Sequence, residues 1–364
     1  LASTVALAHA MVTEPWAWWP LRALTGFAFA ILYMVIESWL NERATNETRG
    51  TVMSIYTVIN LTVIMAGQML LTIYDPGSFP PFALASILVS LAALPVALTT
   101  ALAPAPLQST KVRFARLYRI SPVGFIGAFT VGLGNGAFWS LAPVFATGSG
   151  LDVNGVATFM SLVVLGGAIG QYPLGKLSDR IDRRRVILLA AGGVVLTGAL
   201  LPTVGLTAMP VYSLSVAHMN DFVEPDGFVE ASSGMLMVYA LGAIAGPVIA
   251  SWATGMAGTD LLFPYISLVY LGFAGFVVLR MRARASPTSD EKTDFVATAG
   301  TSPALAVLDP RSDAETPEDR AEDIEAPMVG ESAPDVPAAP ESAGSGESAD
   351  AERGMVSRPP PDQA

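Results

Sequence analysis

The densest group of side chains able to do chemistry lies at Gly175–Val186, which reads GKLSDRIDRRRV. Five basic residues and two aspartates fall within these twelve positions, and long apolar runs stand before and after them. A solvated turn between two buried helices would explain such a stretch, and so would a charged gate between two parts that move. In either case the elements that position it must be apolar helices.

Enzyme chemistry has little support elsewhere in the chain. There is no cysteine and there are two histidines, which excludes thiolate sites and leaves little for a metal centre. His218, Asn220 and Asp221 form the one cluster that resembles a catalytic set, but no serine stands at motif spacing to be its nucleophile. We predict no catalytic residue, no metal and no cofactor. His218 and Asp221 are either proton-linked groups or a structural helix end.

The composition predicts a membrane protein. Hydrophobic residues make up 52% of the chain and charged residues 14%, and the mean hydropathy is +0.51. A water-soluble core does not need so apolar a chain. The elements around the charged motif are therefore expected to be membrane-spanning helices.

The net charge of −11 comes from the tail. From Ser286 onward there are 18 acidic and 5 basic residues, whereas the rest of the chain has 13 acidic and 15 basic residues. The segment 285–364 is rich in Pro, Ala, Ser, Glu and Asp, so we predict a disordered acidic tail. A specific docking role for this tail is the alternative.

A transmembrane helix needs about 20 apolar residues, and the breaks between apolar runs predict an all-α polytopic protein. The predicted complete spans are Trp18–Leu40, Gly50–Tyr74, Phe82–Leu102, Pro122–Ala146, Val153–Leu174, Ala231–Trp252 and Leu261–Met281. Arg185–His218 has 34 residues, too many for one span and too few for two full ones. Two shortened spans there, with a remnant at residues 1–12, give about nine helices plus part of a tenth.

Charge decides between one and two crossings of Arg185–His218. With two crossings, 14 basic residues fall on one side of the membrane and none on the other. Cytoplasmic loops collect Lys and Arg, so we expect this side, and the tail, in the cytoplasm. A single crossing would place Arg280–Arg284 outside.

GKLSDRIDRRRV resembles the signature loop of the major facilitator superfamily, G-x-L-x-D-R-x-G-R-R, which joins the second and third helices of each six-helix half. Asp182 stands where the family has glycine, which puts the tight turn in question. RALTGFAFA at Arg22–Ala30 is similar to the family's fourth-helix pattern. ESWLN, RGTVMSIY and VYSLSVAHMND resemble an uncharacterised bacterial subgroup.

The resemblance sets a register for the chain. Residues 1–110 are the end of helix 3 and helices 4–6, residues 111–121 are the cytoplasmic loop between the halves, and residues 122–284 are helices 7–12. The first two helices and most of the third are missing in this register. The resemblance implies a monomer in the bacterial inner membrane that binds a small solute, with or without H+, and no nucleic acid.

The signature loop implies a gate. In the family its Asp caps a helix of the opposite half, where backbone N–H groups and the helix dipole favour an anion. Here that helix would start near Arg49–Thr51. The gating residues would be Gly175, Asp179, Arg180, Arg183 and Arg184. Plain anchoring of two helices to the cytoplasmic face is the alternative.

Two charged residues of the first half are candidates for proton coupling or substrate binding. Arg22 either faces the central cavity, as the family pattern implies, or snorkels at the interface beside Trp18 and Trp19. Glu37 lies fifteen residues later on the same helix, too far to pair with it. It is either a protonation site or part of a solvated helix end with Asn41–Arg43.

Helix 7 of the resemblance lines the cavity in relatives. Asn135 and Trp139 are four residues apart and share one face, which would offer a polar solute hydrogen bonds and an aromatic ring. Nearby glycines fit helix packing equally well. Gly26, Gly242 and Gly246, with Pro247, are candidates for packing or for a hinge.

The sequence therefore predicts a secondary transporter that works by alternating access and is coupled to protons. The alternative is a membrane fragment or scaffold that does not transport and whose acidic tail recruits a partner. An in-frame apolar extension upstream of the first codon would distinguish the two.

Overall fold

The apolar runs fold as helices. The computed structural model describes residues 1–12, 14–43, 49–75, 77–98, 111–197, 204–224 and 227–283, all within the unit Leu1–Ala314. In these ranges there are eleven α-helices and no strand. The helices are α1 (Ala2–Met11), α2 (Pro15–Arg43), α3 (Arg49–Leu70), α4 (Phe79–Leu98), α5 (Phe114–Ile120), α6 (Pro122–Gly148), α7 (Val153–Arg180), α8 (Arg183–Thr197), α9 (Val204–Asn220), α10 (Phe228–Ala257) and α11 (Leu262–Ala283).

Each predicted span overlaps a helix, and the awkward stretch Arg185–His218 contains two, α8 and α9. The segment 111–121, expected as a loop, carries the short helix α5. This helix forms because Phe114, Leu117 and Ile120 recur every three residues, so that Leu117 is buried. The acidic tail 285–364 lies outside the described residues.

Five of the helices in the described ranges are long and apolar enough to cross a membrane. These five segments are Pro15–Glu37, Pro122–Gly148, Val153–Arg180, Glu230–Met256 and Thr259–Ala283. The chain is therefore an all-helical protein with several helices of membrane-spanning length.

The helices α5–α11 form a second set. They pack around α6, which contacts α9, α10 and α11. Glycines make the contact between α6 and α10 close. A Cβ built on Gly132 or Gly136 would collide with the backbone of α10, at Tyr239 and Ala243.

The contact is reciprocal, because a Cβ on Gly242 or Gly246 would collide with the backbone of α6 at Phe129 or Leu133. Small residues four apart let two helices approach until their backbones touch. The structure thus places Gly242 and Gly246 in helix packing, with Pro247 next to them inside the unbroken helix α10.

In the first set of helices, α1–α4, α1 packs against α4 and α2. α1 meets α4 through hydroxyls, since Ser3 Oγ lies 2.7 Å from Ser86 Oγ and 2.8 Å from Ser90 Oγ. α3 packs on α7 of the second set. Gly26 on α2 is exposed and has no described atom within 4 Å of a Cβ built on it, so the structure gives it no packing role.

The glycine contact between α6 and α10 predicts a position-specific effect of one methyl group. We expect Gly246→Ala to lower the free energy of unfolding by about 1–3 kcal/mol, because the new Cβ meets a backbone carbonyl that cannot rotate away. Gly255→Ala on the same helix is the control, since nothing lies within 4 Å of its Cβ. It should be neutral or stabilising by up to about 1 kcal/mol.

Thermal unfolding of the purified variants in detergent measures both effects. Equal melting temperatures for Gly246→Ala and Gly255→Ala would contradict the close approach of α6 and α10.

Candidate functional site

A recess opens among α6, α7, α9 and α11. Asn135 and Trp139, predicted to share a face, both line it, and the Trp139 ring is 37% exposed. The other lining residues are Gly134, Phe138, Val163, Gly205, Ala208, Met209, Ile266 and Tyr270. An apolar wall with a few polar groups is typical of a small-molecule site.

Tyrosines connect this recess to the interior of the second set of helices. The side chains of Asn135 and Tyr239 lie within interaction range of each other. The Tyr239 ring stands edge-on to the Tyr212 ring, with centroids 5.1 Å apart. The hydroxyls of Tyr212 and Tyr270 are buried and have no hydrogen-bond partner among the described residues. Hydroxyls in this state can bond a ligand or a water molecule at no cost to an existing bond.

Glu37 lies at the other end of this chain of polar groups. Its side chain is buried, with an exposed fraction of 1%, and Oε1 accepts a hydrogen bond of 3.1 Å from the Tyr56 hydroxyl on α3. Tyr212 on α9 is within electrostatic range of the same carboxyl. The interpretation of Glu37 as part of a solvated helix end is therefore wrong, because its side chain is buried.

Arg22 is not brought to this cluster. It is exposed on α2, about four turns from Glu37 on the same helix, and makes no ion pair with any residue that the structure describes. Its role in coupling stays a prediction.

The charged motif forms a very short turn between two helices. α7 ends at Arg180 and α8 begins at Arg183, so Ile181 and Asp182 alone connect them. Asp182 Oδ1 accepts a 3.0 Å bond from the Arg184 backbone N–H, and its carboxylate holds the Arg184 guanidinium with a shortest distance of 2.8 Å. Asp182 thus caps α8, which explains how the turn forms without glycine.

Arg183 is the buried charge of the motif, with 1% of its side chain exposed. Its Nη2 lies 3.3 Å from Asp179 Oδ1, one turn back along the motif. Its Nε lies 3.3 Å from Asp221 Oδ2, just beyond the end of α9, and that carboxylate is also 1% exposed. A buried guanidinium needs such partners, because an uncompensated charge in a protein interior is costly.

His218 lies in the last turn of α9 and is buried. Its ring stands edge-on to Phe222 at 5.2 Å between centroids. Asp221 is engaged by Arg183, so the structure separates the two members of the candidate pair into different contacts. Among the described residues no group of His, Cys, Asp and Glu side chains is suited to hold a metal ion.

A second charge cluster joins α5 to α10. Glu230, in the first turn of α10, accepts bonds from Arg113 Nη2 at 2.9 Å and from Arg116 Nη1 at 2.7 Å. The Arg113 backbone N–H also donates to it at 2.9 Å. The hydrogen bond with Glu230 raises the pKa of the Arg113 guanidinium above its ordinary value. This clamp fixes α5 against the start of α10.

Sequence reasoning missed Glu230 and the tyrosines Tyr56, Tyr212, Tyr239 and Tyr270. Glu230 follows the basic segment by more than a hundred residues, so no local spacing predicts the pair. The tyrosines lie inside apolar runs. The presence of a hydroxyl group in such a run is the sequence feature that could have indicated them.

Long apolar helices, a recess with few polar groups and charges gathered at helix ends are the features of a polytopic membrane protein. The particular family follows from comparison of sequences. The chain belongs to the Major Facilitator Superfamily, whose sequence model matches residues 1–217.

Bacterial proteins described as uncharacterised MFS-type transporters are similar over most of their length. One from Yersinia pestis (strain Pestoides F) is 27% identical over 286 residues, which cover 75% of this chain and 74% of the relative. One from Yersinia enterocolitica is 28% identical over 279 residues, 70% and 71% of the two chains. YcaD of Escherichia fergusonii is 22% identical over 286 residues, 75% of each. No solved structure matches the chain.

Neutralising the two carboxylate partners of Arg183 should lower the stability of the protein by unequal amounts. We expect Asp221→Asn to cost about 3–5 kcal/mol of stability, because it leaves a buried guanidinium without its buried carboxylate. Asp179→Asn is the matched control, since Asp179 is 36% exposed and a pair that solvent reaches contributes about 0–1 kcal/mol. Thermal unfolding in detergent compares the two, and an equal loss would contradict the burial of the Arg183–Asp221 pair.

Proposed function

We propose that this protein is a proton-coupled secondary transporter that moves a small solute across the bacterial inner membrane by alternating access. Membership of the family supports membrane transport of a solute in general. The observation that carries the finer proposal is the buried carboxyl of Glu37, in contact with Tyr56 and within range of Tyr212.

A carboxyl in this position is suited to exchange a proton. An ionised carboxylate without solvent is costly inside a membrane protein, and protonation removes that cost. Protonation also changes the bonding, because a carboxylate only accepts hydrogen bonds whereas the acid form donates one. Loading Glu37 with a proton would therefore change its hydrogen bond with the Tyr56 hydroxyl and remove the negative charge within range of Tyr212.

The tyrosines provide the path from this event to the solute. Tyr212 packs against Tyr239, and Tyr239 lies within interaction range of Asn135 in the recess. The recess is lined without any charged side chain. We infer a solute whose bound part is uncharged, with a hydrogen-bonding group for Asn135 and an apolar face for the Trp139 ring.

The gate would lie at the α7–α8 turn. α3 and α7 pack together, which supports an approach of Asp179 to the N-terminus of α3 when the cytoplasmic side is closed. The side chains of Arg49–Thr51 lie outside those that the structure describes. An anion at a helix N-terminus contributes about 0.3–1 kcal/mol when exposed, so this contact would bias the balance of two states without locking either.

Coupling is tested at Glu37. We expect Glu37→Gln, which mimics the protonated acid, to abolish solute accumulation driven by a pH gradient and to retain solute exchange without a gradient. The full open reading frame that encodes this chain is reconstituted in liposomes with a panel of uncharged solutes. Glu14→Gln is the control, because Glu14 is exposed before α2 and its change removes the same charge.

Gradient-driven accumulation by Glu37→Gln at the wild-type rate would overturn the role of Glu37. No movement of solute by the wild-type protein, with or without a gradient, would favour a scaffold instead.

Orientation is tested by labelling, because the chain has no cysteine of its own. We expect Ser149→Cys and Asp260→Cys to react with an impermeant thiol reagent applied to intact cells, since both residues are exposed in turns without basic residues. Arg119→Cys and Arg282→Cys, also exposed, should react only after permeabilisation. Labelling of Arg282→Cys from outside would contradict two crossings by α8 and α9.

A further inference from the structure

A second recess lies where α6 and α8 begin and α9 and α11 end. It shares no lining residue with the recess around Asn135. Its lining residues are Ser121, Pro122, Val123, Arg184, His218, Phe222 and Arg280. Nothing in the proposed transport cycle uses it.

The recess is lined by basic groups and by no carboxylate. Arg184 comes from α8 and is 5% exposed, and His218 comes from α9. Arg280 comes from α11 and makes no ion pair within the part of the chain that the structure describes. Of the nearby acids, Asp221 pairs with Arg183 outside the recess, whereas Asp182 pairs with Arg184 itself, so Arg280 is the lining cation without an ion pair among the described residues.

The start of α6 adds further donors on the same wall. Ser121 is the N-cap of this helix, and its Oγ accepts a 3.2 Å bond from the Gly124 N–H. A hydroxyl that accepts in this way still has its own proton to donate. The positive end of the helix dipole also favours an anion here.

We propose that this recess binds a phosphate group, carried by the headgroup of an anionic phospholipid. Guanidinium groups match phosphate oxygens in geometry, and basic pockets between membrane helices on the cytoplasmic side hold phospholipid headgroups. Pro122, Val123 and Phe222 supply an apolar wall for the glycerol and the upper acyl chains. Free inorganic phosphate has the same chemistry without that apolar part.

Binding would connect the ends of α8 and α11, in addition to the Arg183–Asp221 pair that already joins α8 to the end of α9. A headgroup held by Arg280 and Arg184 bridges α11 to α8, next to the turn that carries Asp182 and Arg183. Because a ligand that binds one arrangement stabilises it, the lipid would favour the arrangement of helix ends seen here.

The lipid arm of the experiment compares phosphatidylglycerol with phosphatidylcholine. The full chain is purified in detergent, and lipid retention is measured by native mass spectrometry. We expect retention of phosphatidylglycerol in preference to phosphatidylcholine, and Arg280→Gln should weaken it roughly fivefold, which corresponds to about 1 kcal/mol for one cationic contact. Arg282→Gln is the control, since Arg282 is exposed two residues further and lies outside the recess.

The phosphate arm adds inorganic phosphate to the protein stripped of lipid and follows thermal unfolding. Stabilisation by phosphate that depends on Arg280, without a preference for phosphatidylglycerol, would support the phosphate site and make the free ion its occupant. Equal lipid retention in wild type and Arg280→Gln, with no phosphate effect that depends on Arg280, would overturn the proposal. An equal loss in Arg280→Gln and Arg282→Gln would also overturn it, because surface charge would then explain the binding.

Arg280→Lys is a second variant that keeps the proposal testable if Arg280→Gln does not fold. It keeps the charge but loses the planar fork, so we expect an intermediate loss of phosphatidylglycerol. If Arg280→Gln is not recovered as a monodisperse protein, the test rests on Arg280→Lys. Retention of phosphatidylglycerol by Arg280→Lys at the wild-type level would then contradict the proposed guanidinium contact.

Discussion

The buried guanidinium of Arg183 determines how the ends of α7, α8 and α9 are placed relative to one another. With 1% of its side chain exposed, it requires carboxylates from two directions, and the ends of α7 and α9 provide them. Buried ion pairs add little net stability compared with apolar residues, but they are satisfied in few arrangements. Since α7 packs on α3, α8 on α11 and α9 on α6, one satisfied charge fixes the relative placement of several helices.

Two kinds of contact hold these helices together, ion pairs at their ends and glycine contacts along their length. At the ends, ion pairs such as Arg116 with Glu230 hold neighbouring elements together where water still reaches part of the cluster. Along their length, α6 and α10 meet backbone to backbone through Gly136 and Gly246. In lipid no water drives apolar surfaces together, so close packing and a few polar contacts must supply the association.

The sequence predicts the helices well because length and apolar character decide them, and the structure has a helix at every predicted span. It also places Asn135 and Trp139 on one recess, since a spacing of four is local geometry. The burial of Glu37 was not predictable from its neighbours Asn41–Arg43, which indicate solvent. That burial depends on α3 and α9, and contacts between distant segments leave no periodic signal. The clamp on Glu230 escaped prediction for the same reason.

Two similar stretches of sequence lie near Glu37 in the structure. Residues 33–42 read YMVIESWLNE and residues 212–221 read YSLSVAHMND, with tyrosine first, asparagine ninth and an acid tenth in both. Such repeats are expected of two related halves. Tyr33 and Tyr212 therefore hold the same place in each copy, and both lie within electrostatic range of the Glu37–Tyr56 contact.

The copies differ at the fifth position, which is Glu37 in the first and Val216 in the second. Two carboxylates brought close in a buried site would not both ionise, because each would raise the cost of charging the other. The apolar Val216 avoids that repulsion. A change in the charge of Glu37 would thus be felt by Tyr56 on α3 and by Tyr212 on α9.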